Sequence, residues 1–127
     1  MWKNKLEYRG EARDDQTWIY TLEGNLFGSP EGYAFQEEVR EKIASGMKKI
    51  VIDLEKVDRI DSSGVGILVA TMWSASQAGS GMVLAALSET VEKVLSIAML
   101  LDHIDHSTSV EDALTRLDWM QLEGPAS

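Results

Sequence analysis

A chain of 127 residues with 44% hydrophobic content has the size of one domain and enough apolar surface for one core. With 21 acidic against 12 basic side chains the net charge is −9, a field that repels phosphate backbones and anionic lipid and argues against nucleic-acid and membrane-surface partners. Cysteine is absent, which removes disulfides, thiolate metal sites and a cysteine nucleophile, and fits a reducing compartment. The first ten residues hold no apolar stretch of signal type. The longest apolar candidate, 65–73, is too short to cross a bilayer, so the expectation is a cytoplasmic chain without membrane insertion.

Taken in order, residues 4–9 alternate weakly around Leu6 and Tyr8 and predict an edge strand. A polar turn, Arg13-Asp14-Asp15-Gln16, leads to an aromatic and β-branched run at 18–22, a second strand that pairs with the first as an antiparallel hairpin. Gly24-Asn25 is expected to end that strand. Ser29-Pro30-Glu31 is a helix start, with a capping serine, proline in the first turn and an acid at the positive end of the dipole. Phe35, Val39 and Ile43 give this helix its buried face, and Gly46 suits a left-handed cap at its end.

Residues 50–54 form a short apolar run bounded by charge, a buried strand. A helix over 63–77 follows, with Val65, Leu68, Val69 and Met72 expected toward the sheet and Ile67, Ala70, Thr71 and Ser74 on the opposite side. On that expectation Ile67 is either a stray apolar residue on a solvated face or part of a docking surface. Its replacement by Glu would then leave stability unchanged. Gly79-Ser80-Gly81 closes the helix, and 82–86 is another buried strand. Ser88 caps a helix with a core stripe of Val91, Val94, Leu95 and Ala98. Residues 101–106 hold at most a short last strand. Thr108 and Glu111 have capping-box spacing for a final helix whose apolar face is Val110, Ala113, Leu114 and Leu117.

This order predicts an α/β fold: one domain over 1–122 with a flexible tail at 123–127, and a mixed, mostly parallel sheet of four to five strands with about four packed helices. The N-terminal hairpin supplies the antiparallel element.

Asp61-Ser62-Ser63-Gly64 sits where a strand hands over to a helix, and each of its oxygens suits a helix cap. The free N–H groups and dipole of such a start also favour an anion. Ser62 lacks the Gly-x-Ser-x-Gly elbow of serine hydrolases, and the only histidines, His103 and His106, belong to a polar loop. Asp102, His103, Asp105 and His106 have no spacing that defines a metal centre, so no metal and no cofactor are expected. Gly64-Val65-Gly66 and Gly79-Ser80-Gly81 lack a phosphate-loop signature, and the scattered Trp2, Trp18, Trp73 and Trp119 suggest packing at the core or its edge. From chemistry alone, Ser62 as cap and Ser62 as modification site both stand.

The stretch from Asp53 to Gly66, with Ile60-Asp61-Ser62-Ser63-Gly64-Val65-Gly66 between strand and apolar helix, resembles the signature of the STAS domain family and, more narrowly, of bacterial anti-sigma factor antagonists. The resemblance covers roughly residues 4–120 and includes the Gly79–Gly81 turn and the Ser88-Glu89-Thr90-Val91 helix start. It implies a regulatory binding module, not an enzyme. Its partners would be an anti-sigma factor that is also a GHKL-type serine kinase and a PP2C-type phosphatase. Ser62 would be the phosphoacceptor, with Ser63 as second choice, and Asp61, Gly64, Gly66 and Asn25 would surround it. Ile67, Ala70 and Ser74, on the face of the helix expected to point outward, are the candidates for the adjoining partner contact, on a monomer or weak dimer. The alternative is an unphosphorylated STAS scaffold subunit of a sensing or lipid-transport complex. The chain departs from the family in one place: Gly24-Asn25-Leu26-Phe27 stands where acidic residues usually occur.

Overall fold

The structure, a computed structural model, describes residues 5–120. Strand β1 (Leu6–Ala12) pairs antiparallel with β2 (Thr17–Leu26), and helix α1 (Pro30–Ala44) leads to β3 (Lys49–Ile60). Helix α2 (Ser62–Gln77), β4 (Gly81–Ala85) and α3 (Glu89–Ile97) follow. A 3₁₀ turn at Leu101–His103, the two-residue β5 (His106–Ser107) and α4 (Val110–Trp119) complete the order. The five strands lie side by side in sequence order, and every pair after the first is parallel. This is the α/β architecture expected, with its N-terminal hairpin.

Strand alternation divides the apolar side chains between two faces. Ile50, Ile52 and Leu54 of β3 and Met82 and Leu84 of β4 join Phe35, Val39, Ile67, Leu68, Val91 and Leu95, so α1, α2 and α3 share one face of the sheet. Val51, Val83 and Ala85 meet Ala113 and Leu117 of α4 on the other. Tyr20 packs edge-on against Phe35 with centroids 5.3 Å apart, and burial, with the Glu38 carboxylate adding to it, pushes its phenol well above the usual range.

Several boundaries differ from expectation. Strand β2 does not stop at Gly24-Asn25. Gly24 has φ +101°, a conformation open to glycine, and the register with β3 shifts on both sides of it, so the strand bulges and continues to Leu26. Strand β3 likewise runs six residues past Leu54, to Ile60, with Val57 and Ile60 buried. The cap of α4 is Ser109, whose hydroxyl accepts from the Asp112 N–H at 3.0 Å; Thr108 instead bonds the Asp112 carboxylate. In α3, Val91 and Leu95 are buried and Ala98 is exposed. Trp18 packs on the core under Lys42, 3.7 Å from its ring, while Trp73 and Trp119 are exposed. Gly46, at φ +99°, does follow the last turn of α1 as a left-handed residue. Trp2 and the tail at 123–127 lie outside the described residues.

Candidate site at the start of helix α2

Asp61, between β3 and α2, has extended backbone angles, and its carboxylate accepts the Gly64 N–H at 2.7 Å. Asp61 is therefore the cap. The Val65 N–H bonds the Asp61 carbonyl at 3.0 Å, so the third and fourth amides of the helix are satisfied. The Ser62 and Ser63 N–H groups have no partner among the described residues. Ser62 is exposed, and its hydroxyl makes no hydrogen bond to a described residue. Of the two readings that chemistry left standing, the capping role goes to Asp61.

The two serines differ in surroundings. Ser63 is half-buried against Gly28: a Cβ on Gly28 would lie 2.6 Å from the Ser63 Cβ, 2.8 Å from its Oγ and 3.1 Å from the Tyr33 Oη. Ser62 faces solvent.

The two glycines after them also differ. A Cβ on Gly64 would overlap the Leu26 carbonyl oxygen and come within 2.9 Å of Ile60 Cγ1, so this glycine lets α2 start directly against the ends of β2 and β3. Above Gly66 there is open space: apart from its chain neighbours and the backbone of its own helix, no atom lies within 4 Å of a Cβ. Asn25 is 6% exposed within β2, opposite Arg59 of β3, and Phe27 is half-buried just beyond the strand.

The helix face assigned from sequence is rotated. Gly64, Ile67, Leu68, Thr71 and Ala75 are buried, one position away from the expected stripe. Ile67 is 1% exposed, which corrects its placement on an outward surface. The cause is α1: its Gly32 admits the tip of Ile67, whose Cδ1 would lie 3.1 Å from a Cβ there, so α2 is covered by a helix as well as by the sheet. Ala70 and Ser74 are half-buried beside this seam. The outward line is Ser62, Gly66, Val69 and Trp73, with Val69, expected toward the sheet, 40% exposed and Trp73 65% exposed. The periodicity contained this line, at spacing i, i+4, i+7 and i+11; an uncharged outer face was the signal to look for.

Among the described residues no group of three or more His, Asp or Glu could hold a metal ion, and no helix is long and apolar enough to cross a membrane. A cleft of about 730 Å³ at the far end of the sheet lies between the C-terminal half of α2 and α4, next to the Arg116–Asp105 ion pair. It does not include Ser62.

A model of the STAS domain matches residues 11–113. The chain belongs to the STAS domain family. Among solved structures, this STAS domain is similar to tm1081 of Thermotoga maritima, a candidate anti-sigma factor antagonist, with TM-score 0.79 and 24% identity over 87% of this chain and 94% of that one. It is similar to an anti-sigma factor antagonist from Mycobacterium paratuberculosis with TM-score 0.78 and 20% identity, covering 91% and 96%. The anti-sigma factor antagonist SpoIIAA, unphosphorylated, matches with TM-score 0.70 and 20% identity over 90% and 100%, and the Bacillus protein in its phosphorylated form with TM-score 0.61 and 23% identity over 87% and 98%. Likeness at these identities establishes a common fold.

Proposed function

We propose that this STAS domain is an anti-sigma factor antagonist that binds an anti-sigma factor/serine kinase of the GHKL type and is released when the kinase phosphorylates Ser62. A PP2C-type phosphatase would restore binding, and all three would act in the cytoplasm. The observation that carries the reading is the exposed Ser62 hydroxyl, left without a hydrogen-bond partner because Asp61 caps the helix. A capping serine is held by the fold; this one is available. SpoIIAA, of the same fold, is known in phosphorylated and unphosphorylated forms.

Phosphorylation adds about −1.5 to −2 charge and three acceptor oxygens. Within the domain that charge meets two unpaired amides, of Ser62 and Ser63, at the positive end of α2. The fold therefore accepts it with little disturbance. A partner seated on the same corner meets added bulk and a charge it must desolvate. A loss of ~3 kcal/mol weakens binding more than a hundredfold, enough to exchange partners. Ser63, packed against Gly28, is the less accessible acceptor.

The test takes the purified GHKL-type kinases of the source genome. Wild type treated with its kinase and ATP gains one phosphoryl group in intact mass, and Ser62→Ala gains none. Ser62→Glu binds the kinase more weakly than Ser62→Ala, with circular dichroism spectra that coincide. Equal binding by the two variants refutes the switch. Binding without any mass change moves the chain to the scaffold class.

A further inference from the structure

Helix α2 carries no charged side chain from Ser62 to Gln77, in a chain whose residues are 26% charged. For its buried side this is ordinary. Its solvent side, however, is Ser62, Gly66, Val69, Trp73, Ser76 and Gln77, where a solvated helix normally shows Glu and Lys. The Trp73 indole is 65% exposed and makes no hydrogen bond or ring contact among the described residues. Gly66 stands between Ser62 and Val69 with nothing above it, although no packing in this fold requires glycine there. Charge depletion, an unpartnered tryptophan and a bare stretch of backbone coincide on one line.

Building on the Ser62 reading, we propose that this line is the ridge on which the same protein partner sits, with Trp73 as its anchor. The partner presents an uncharged apolar strip that lies flat over Gly66 and a pocket for the indole. Eleven residues at 1.5 Å each put that pocket about 16 Å from the Ser62 contact. Charge decides the occupant. A charged side chain opposite Gly66 or Val69 would be desolvated without a counter-charge, so the strip that covers them must be neutral. A second copy fits poorly, because each carries −9 and the ridge, about 16 Å by 10 Å, is far below the ~800 Å² per partner of a stable interface; the flanks would have to join against like charge. Anionic lipid meets the same field. A neutral strip also explains release. A phosphoryl group on Ser62 would be buried against a surface with nothing to pair it.

The experiment uses the full chain and, as probes, the purified GHKL-type kinases of the source genome. Trp73→Ala is compared with Trp119→Ala, which removes the other highly exposed indole among the described residues, 83% exposed on α4 across the sheet. Both variants should fold as wild type. Calorimetry is expected to show about thirty-fold or greater loss for Trp73→Ala and less than about twofold for Trp119→Ala. Gly66→Ala should weaken binding although it stabilises the fold. A kinase that binds and phosphorylates Trp73→Ala as it does wild type overturns the ridge and leaves the Ser62 reading standing. If no kinase binds wild type, the Ser62 reading fails and the ridge falls with it. Trp73-dependent self-association in sedimentation, or Trp73-dependent binding to phosphatidylcholine–phosphatidylserine vesicles, overturns the ridge in favour of a second copy or a lipid surface.

Discussion

Gly64 and Gly66 lie two residues apart in one helix, and alanine at each should act in opposite directions. At Gly66 a methyl group enters open space. Glycine in an exposed helix interior is less favourable than alanine by about 0.8–1.0 kcal/mol, so Gly66→Ala should stabilise by up to that amount. For a chain of this length that corresponds to a rise of about 3–5 °C in melting temperature. At Gly64 the same methyl meets the Leu26 carbonyl oxygen, a backbone atom held by the end of β2, and crowds Ile60 Cγ1 at 2.9 Å. Neither neighbour is the far end of a flexible side chain. Relief requires α2 to move off the sheet, which strains the Asp61 to Gly64 bond and loosens Leu68 behind it. Overpacking of this kind costs about 1–3 kcal/mol or more and outweighs the gain in helix propensity. Urea unfolding followed by far-ultraviolet circular dichroism reads both values. A Gly64→Ala protein within about 0.5 kcal/mol of wild type would refute the proposed seating of α2. A Gly66→Ala protein less stable than wild type would show that the space above Gly66 is not open.

Ile67→Ala should cost about 2–5 kcal/mol, and Ile67→Glu should prevent stable folding at moderate temperature, both read from urea midpoints. A soluble, folded Ile67→Glu protein would return this residue to the surface. Asp61→Ala removes the 2.7 Å bond to the Gly64 N–H and should cost about 1 kcal/mol, whereas Ser62→Ala should stay within about 0.5 kcal/mol of wild type. The reverse order would make Ser62 the cap and remove the main support for its modification. Gly28→Ala should destabilise and alter the environment of Ser63, 2.6 Å from the new methyl, as followed by the Ser63 amide resonance; an unmoved resonance would contradict that contact.

The strand and helix order was legible because strong local signals agreed with it. Ser29-Pro30 and Ser88 cap the helices they were expected to cap, and Gly46 lies left-handed after α1. The errors fall where tertiary context decides. Gly24-Asn25 has the composition of a turn, but a bulge with glycine at positive φ keeps β2 in the sheet to Leu26, and that extension delivers the carbonyl on which Gly64 rests. Periodicity gave α2 one buried stripe and could not say how many neighbours covered it. With the sheet alone, Val65, Leu68, Val69 and Met72 is a reasonable face. Contact with α1 rotates it by one residue, about 100°, which buries Ile67 and brings out Val69 and Trp73. Asp61, Ser62 and Ser63 are all good caps by type, and only the backbone angles and the 2.7 Å bond choose among them.

That choice links stability to function. Because Asp61 satisfies the Gly64 amide and Gly64 locks the helix start against β2, the first turn of α2 is fixed without any contribution from the Ser62 hydroxyl. Chemistry on that oxygen can then alter charge and shape at the surface while the core behind it, Ile67 and Leu68, stays in place. The same rigid frame carries Gly66, Val69 and Trp73 in line with Ser62. A partner anchored on Trp73, as proposed, would therefore have little freedom to tilt away from a phosphoryl group at the other end of the ridge. Were Ser62 the cap, phosphorylation would spend much of its effect on fraying the helix. With Asp61 as the cap, the proposed phosphorylation would act on the partner instead.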